Sequence, residues 1–294
     1  MNSMLSYAPP LLGAALLALV LPRARRATVM YGWIWACVAL AATSLLQIYE
    51  GAAGGAAPSW LPAARFAALS LTFCPFMSVL GSKRPHEQAW QWIVLSLWGV
   101  LVLPAAEWWV LRRGVTLEIH GVRAWFLLIL IGMQALHGLG TRLWLAGLLL
   151  AAAQASVFAA DLPVVGTWLD SSLRSVLGES LRRGGEWLCG LSALAATWHA
   201  WRPRAAASPR DRIWCDFRDR FGLLWAVRVW ERVQAATATE REPTRRLGWY
   251  GFVVEAEETD ESQLDQVVWN LLRRFVSRSW CVERGWTPPQ GGEE

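Results

Sequence analysis

The chain has 294 residues, of which 54% are hydrophobic, and its mean hydropathy of +0.28 does not fit an ordinary soluble domain. Residues 1–201 hold 13 basic and 8 acidic residues, whereas residues 202–294 hold 15 of each, so the net charge of +5 flanks the apolar segments. A nucleic-acid-binding protein would carry its excess of positive charge in the polar region. The charge pattern therefore predicts the lipid bilayer, and no nucleic acid, as a partner.

Long uncharged runs predict an all-α polytopic membrane protein, because a bilayer core of about 30 Å takes ~20 apolar residues in a helix. Residues 124–160 carry one charge, Arg142, and a single helix of that length would rise ~55 Å, so a turn is expected at Gly138 and Gly140. Six spans is the alternative, since the last run is the shortest. We predict about seven spans, near residues 5–21, 29–48, 65–81, 90–111, 123–139, 142–160 and 184–201.

The arginines after the first span predict the orientation. No Lys or Arg precedes Arg23, which argues against a cleaved signal peptide, and Arg25 and Arg26 follow it. Positive charge marks the cytoplasmic end of a span, so we expect the N-terminus outside a bacterial inner membrane and the C-terminal domain in the cytoplasm.

The chain is rich in tryptophan, with 21 residues, and their positions agree with these spans. Indole rings favour the membrane–water interface. Those expected near the inner interface are Trp33, Trp35, Trp90, Trp92, Trp144, Trp198 and Trp201, and those near the outer interface are Trp60, Trp108, Trp109, Trp125 and Trp187. Only Trp98 is expected at mid-depth.

Residues 161–183 form a separate outer segment in this scheme. Leu173, Val176, Leu177 and Leu181 recur there at helical spacing with polar residues between them. This pattern predicts an amphipathic helix lying in the interface.

A small α-rich soluble domain, or an α+β one, is predicted over residues 205–286, followed by a disordered tail at 287–294. Ser208, Pro209 and Asp211 form a helix start, and that helix is expected to reach about Ala236. Residues 245–255 predict a strand or hairpin, and Ser262 with Asp265 opens a second helix. The first helix carries an apolar stripe of Ile213, Phe217, Phe221, Leu224 and Val227.

Two segments carry a resemblance to known proteins. FCPFMSVLGSKRPHEQAWQWIVLSLW at residues 73–98 and DRIWCDFRDRFGLLWAVRVWERV at residues 211–233 resemble uncharacterised multi-span membrane proteins of planctomycete-type genomes. The resemblance implies a multi-span architecture, and it implies neither an activity nor any functional residue.

Few polar side chains fall within the predicted spans. Gln47, Gln134 and Gln154 are expected to make contacts between helices. No Asp, Glu, Lys or Arg is expected at mid-depth, which argues against a proton-coupled transporter or an ion pump. Candidates for lipid-headgroup contacts at the two faces are Lys83, Arg84, Glu107, Arg112 and Arg113, with an ion pair as the simpler interpretation of Glu107.

His86, His137 and His199 are expected near the inner face, where a pair of histidines would suit a haem iron. Their spacing matches no ligand motif, and the sequence has no nucleotide-binding, hydrolase or zinc-protease motif. We therefore expect no catalytic residue, no metal and no cofactor. The interpretation that follows is a non-enzymatic anchor, scaffold or regulatory protein whose cytoplasmic tail engages a protein partner. The alternatives are a small-solute or lipid permease, and a membrane enzyme or haem carrier that uses the histidines.

Overall fold

The computed structural model describes residues 13–15, 17–19, 27–53, 58–84, 86–111, 119, 121–159, 162, 171–202, 208–237, 245–254 and 261–289. Over these residues the regular secondary structure is helical apart from one two-stranded sheet and an isolated bridge between Ala27 and Val276. Residues 13–15 and 17–19 are helical, and the rest of the first predicted span lies outside the described residues. Arg112, Arg113 and residues 290–294 also lie outside them.

Three helical stretches are long and apolar enough to cross a membrane: Met30–Ala52, Leu61–Leu80 and Glu87–Val110. The first is α1, Met30–Ala52, and the third belongs to α4, Glu87–Leu111. The second consists of α2, Leu61–Ser70, one 3₁₀ turn, Leu71–Phe73, and α3, Cys74–Leu80. Pro75 has no N–H to donate to the carbonyl four residues earlier, which explains the change of hydrogen bonding at that turn.

Two shorter apolar helices follow, α5, Val122–Gly138, and α6, Trp144–Ala159. The turn expected at Gly138 and Gly140 lies between them, and Gly140 has a φ of +72°. A Cβ added at Gly138 would meet the Gly147 Cα at 3.6 Å. Glycine thus supplies both the left-handed turn and the close approach of the two helices.

The structure joins the predicted outer segment to the predicted last span. A single helix, α7, runs over the 31 residues Ser171–Trp201. Arg182 and Arg183 do not interrupt it, because both lie beside Glu179 in the same helix, with Arg183 Nε 2.8 Å from Glu179 Oε1. Gly185 allows close packing on α6, since a Cβ there would fall 2.7 Å from the Ala153 carbonyl oxygen.

The C-terminal region, by which we mean the described residues 208–289, combines helices with a hairpin. Its elements are α8, Pro209–Thr237; β1, Arg245–Gly248; β2, Gly251–Val254; α9, Glu261–Leu272; and α10, Arg278–Val282. The Ser208 hydroxyl caps α8 by accepting from the Asp211 N–H at 3.1 Å. The strands are antiparallel, Gly248 pairs with Gly251, and the turn consists of Trp249 and Tyr250.

The C-terminal region packs against one end of the apolar helices. The Thr28 N–H donates to the Phe275 carbonyl at 3.0 Å, and the Arg84 N–H donates to the Arg274 carbonyl at 2.7 Å. The Trp225 indole donates to the Val79 carbonyl at 2.8 Å. Residues before α1 and at the end of α3 therefore bind the C-terminal region through the backbone.

The turn between α5 and α6 makes equivalent contacts. The Trp249 indole donates to the Gly140 carbonyl at 3.1 Å, and the Arg142 N–H donates to Asp219 Oδ1 at 3.2 Å. Three connections that border the apolar helices thus contact the same surface of the C-terminal region. One buried core also includes Ala27 and Val29 together with residues of the C-terminal region, among them Ile213, Phe217, Phe221, Leu272, Phe275 and Trp280.

Helix α8 bends at Gly222, which has a φ of 73° and a ψ of −178°. Up to the bend the predicted stripe is correct, since Phe217 and Phe221 are fully buried. Beyond it the buried position passes from Leu224, which is 38% exposed, to Trp225. The prediction for Leu224 was wrong because it assumed an unbroken helix.

Candidate functional site

A cavity of about 220 Å³ lies between the apolar helices and the C-terminal region. Helices α1, α3, α5, α6 and α7 line its sides, and α8 contributes residues of its bend. Most of the lining is apolar, and it includes Leu17, Trp33, Ala36, Leu40, Val79, Leu150, Cys189 and Ala193. A space of this kind between helices is a typical site for a small molecule.

Small residues on three helices leave this space. Gly32 and Ala36 on α1, Ala146 and Gly147 on α6, and Ala196 on α7 all border the cavity. The backbone of α1 at Gly32 already lies close to α3, because a Cβ added there would meet Val79 Cγ2 at 3.1 Å. The two helices therefore cannot move closer together to fill the space. The cavity therefore forms where the side chains are small, between positions along the helices at which the helices already touch.

Two predicted glutamines meet beside the cavity. Gln134 Nε2 donates to Gln154 Oε1 at 3.1 Å, and Gln154 Nε2 donates to Thr72 Oγ1 at 3.1 Å. All three residues are buried. This network joins α5, α6 and the 3₁₀ turn, and it satisfies polar groups that burial would otherwise penalise.

Two hydroxyl groups of the lining also have partners. The Thr141 hydroxyl donates to the Gly138 carbonyl at 2.6 Å and accepts from the Leu143 N–H at 3.1 Å. The Ser192 hydroxyl donates to the Ala146 carbonyl at 2.7 Å. These groups have no need of a ligand to satisfy them.

His137 differs from these residues. It lines the cavity in the last turn of α5, and its ring stands edge-on to Phe76 with 5.3 Å between the ring centroids. Its Nδ1 is buried and has no hydrogen-bond partner within the protein. On its other edge, a Cβ added at Gly222 would overlap the ring. Only glycine leaves room for this contact between α5 and α8.

Charged residues of α8 border the end of the cavity next to the C-terminal region. Asp219 accepts from Arg218 Nη2 at 2.9 Å, and both side chains are buried. Arg220 also lines the cavity. Burial, with a smaller effect of Arg284, lowers the pKa of Arg220 to about 10, while Asp216 and Asp219 oppose the shift. The guanidinium is therefore still charged at neutral pH.

A buried ion pair lies at the opposite end of the helices. Arg65 on α2 donates to Glu186 Oε1 on α7 through Nε at 3.0 Å and through Nη2 at 2.7 Å. Gln47 Nε2 on α1 donates to Glu186 Oε2 at 2.6 Å. The sequence interpretation missed this pair. Charges of opposite sign, each flanked by apolar residues in two predicted helices, were the available signal.

The other predicted site residues lie apart. His86 is exposed just before α4, and His199 lies in the last turn of α7 near Arg142 and Arg202. No group of three His, Cys, Asp or Glu residues suited to a metal occurs among the described residues. A haem iron on His137 Nε2 would also require α8 to move from its ring.

Those headgroup candidates that the structure describes contact the protein itself. Lys83 Nζ lies 4.4 Å from the centre of the Trp225 ring, and Arg84 contacts the C-terminal region through its backbone. Glu107 accepts two bonds from Arg123, at 2.6 and 2.7 Å. The ion pair expected for Glu107 is thus present, with Arg123 as the partner.

No protein-family model matches this chain, no curated protein matches it in sequence, and no solved structure matches it. The resemblance to planctomycete-type membrane proteins stays a prediction. The function is therefore inferred from the geometry of the described residues.

Proposed function

We propose that this chain is an integral membrane protein of about seven spans that holds a small, largely apolar molecule between its helices, as a permease or receptor for such molecules does. The cavity between the apolar helices and the C-terminal region is the observation that carries the proposal. We place the N-terminus outside and the C-terminal region in the cytoplasm of a bacterial inner membrane.

The outer surfaces of the helices support a membrane location. Large apolar side chains point outward along α1, α4 and α5, with Trp92 72% exposed and Val110 70% exposed. Exposure of this apolar surface to water would be unfavourable in free energy, and large exposed apolar areas mark lipid or protein contacts. Lipid chains would cover them.

The size of the cavity limits the ligand. An engineered apolar cavity of ~150 Å³ takes a benzene-sized molecule, so a cavity of about 220 Å³ takes a molecule of roughly ten non-hydrogen atoms. That volume is too small for a whole phospholipid. The proposal is therefore a site for one small solute or one short chain.

A cavity-filling variant tests the proposal. Ala36 lines the cavity, whereas Ala41 on the same helix is exposed, so Ala36→Leu and Ala41→Leu add the same atoms at a cavity-lining and an outward position. We expect 1-octanol to raise the Tm of the wild type and of Ala41→Leu in phosphatidylcholine nanodiscs. Ala36→Leu should lose most of this shift because its side chain occupies the site.

The result that would contradict the proposal is an equal rise of Tm in all three proteins. The alcohol would then act on the lipid or at the outer surface. Each Tm shift is referred to that protein without the alcohol, so a change in basal stability does not affect the comparison.

A scaffold whose C-terminal region engages a protein partner is the second candidate. The aromatic stripe that motivated it is buried inside the molecule, as Phe217 and Phe221 show. The hairpin supports the candidate instead, because Tyr250 is 81% exposed and Val253 is 53% exposed. Tyr250→Ser should abolish binding to such a partner while the Tm stays unchanged. A lower Tm in this variant would instead assign Tyr250 a structural role.

A further inference from the structure

The polar groups around the cavity differ in whether they have hydrogen-bond partners within the protein. Gln134 and Thr72 bond through Gln154, and Thr141 and Ser192 bond backbone carbonyls. His137 Nδ1 is, among the described side chains that line the cavity, the buried polar atom without a hydrogen-bond partner. An unsatisfied buried polar group carries a free-energy cost, which a bound molecule with one polar group would remove.

From this pattern we infer that the ligand is a neutral, single-headed amphiphile, a short aliphatic chain with one hydroxyl group, and that the His137 imidazole turns its Nδ1 toward the cavity to receive that hydroxyl. The inference rests on the proposed ligand site and narrows its chemistry. A hydroxyl group suits either imidazole tautomer, because it donates to an unprotonated Nδ1 and accepts from a protonated one.

The charges at this end favour a neutral head. Asp219 and Arg220 both line the cavity, and they carry opposite charges. Both already have charged partners within the protein, since Asp219 pairs with Arg218 at 2.9 Å and the carboxylates of Asp216 and Asp219 act on Arg220. A charged head would therefore find no unpaired counter-charge among the described residues here, and its desolvation would go uncompensated. Trp33, Leu40 and Leu150 then surround the chain of the ligand with apolar surface.

The experiment compares 1-octanol with n-nonane, which have equal numbers of non-hydrogen atoms and differ in the hydroxyl group. Protein in phosphatidylcholine nanodiscs is titrated with each probe, and the Tm is recorded against the measured mole fraction of probe in the lipid. We expect the wild type to bind the alcohol about fivefold more tightly than the alkane, as one buried hydrogen bond implies. His137→Phe, which keeps an aromatic ring, should bind the two probes equally.

The outcomes separate the two proposals. Equal binding of alcohol and alkane by the wild type, with both lost in Ala36→Leu, would overturn the role of His137 and leave the cavity as an apolar site. Failure of both probes to distinguish the wild type from Ala36→Leu would overturn the cavity site itself. An alcohol preference that persists in His137→Phe would also overturn the inference, since the hydroxyl would then bond elsewhere. The wild-type comparison remains decisive even where His137→Phe fails to fold.

Discussion

Gly222 shows how a single residue determines the relation between the C-terminal region and the apolar helices. Its φ of 73° and ψ of −178° lie in a region of backbone space that is essentially restricted to glycine. The bend places α8 against His137, and a Cβ at position 222 would overlap that ring. Backbone freedom and the lack of a side chain are therefore both required here.

We predict that Gly222→Ala destabilises the protein. An alanine in this conformation carries a backbone cost of ~1–3 kcal/mol, and displacement of His137 adds to it. The expected result is a lower Tm in nanodiscs together with faster proteolysis of the C-terminal region.

Gly99→Ala is the matched control, because a Cβ at Gly99 meets nothing within 4 Å and the residue lies within α4. That change should leave the Tm equal or slightly higher, since alanine favours a helix more than glycine does. A Gly222→Ala protein with the Tm of the wild type would show that α8 does not need this bend.

Within α8, the two sides of the bend present different faces to the core. Phe221 stacks on Phe217 at 4.8 Å between ring centroids and stands edge-on to Phe275 at 5.3 Å. After the bend, Trp225 takes the buried position and stands edge-on to Phe275 at 5.1 Å. The aromatic cluster therefore joins both halves of α8 to the segment after α9.

We expect Phe221→Ala to lower the free energy of unfolding of the C-terminal region by ~3–5 kcal/mol, because a fully buried aromatic side chain leaves a cavity. Limited proteolysis should then cleave within residues 208–289 while the apolar helices still insert. Leu224→Ala, at the exposed position, should change the cleavage rate little. Similar sensitivity of the two variants would mean that α8 is unbent in the protein in solution.

The ion pair of Arg65 and Glu186 acts between elements as well. It joins α2 to α7, and Gln47 adds α1 through the second carboxylate oxygen. Burial of both charges costs desolvation energy, and it is compensated by the two guanidinium N–H groups that donate to Oε1 together with the amide that donates to Oε2. The pair gives these helices a fixed register at the end remote from the C-terminal region.

In the molecule as a whole, the C-terminal region bonds three connections that border the apolar helices. Thr28 precedes α1, Arg84 lies between α3 and α4, and Arg142 lies between α5 and α6, and all three bond the C-terminal region. In a membrane, these connections would lie on the same side of the bilayer as the C-terminal region. The sequence predicts that these positively charged connections share one side, and the identity of that side stays a prediction.

We predict that this common side is the cytoplasm. Alkaline phosphatase fused after Glu294 should be inactive, because the enzyme requires an oxidising compartment to form its disulfides. The same reporter fused after Ala57, in the connection between α1 and α2, should be active. The reverse pair of activities would invert the orientation, and activity at both sites would exclude seven spans.

The sequence by itself determined the features that depend on local pattern. Uncharged runs determined where α1, α4 and α5 form, paired glycines determined the turn before α6, and the Ser208 cap determined the start of α8. Hydrophobic length, turn conformation and capping are properties of adjacent residues, so they can be read along the chain.

Tertiary structure alone decided the cavity, the bonds of Gln154 to Gln134 and Thr72, the ion pair of Arg65 with Glu186, and the packing of Gly222 on His137. The paired residues lie on different elements, as far as 121 positions apart for Arg65 and Glu186. No local preference selects one partner among many at such separations. Their meeting depends on how the apolar helices and the C-terminal region pack together, and the space that small residues leave between them depends on the same packing.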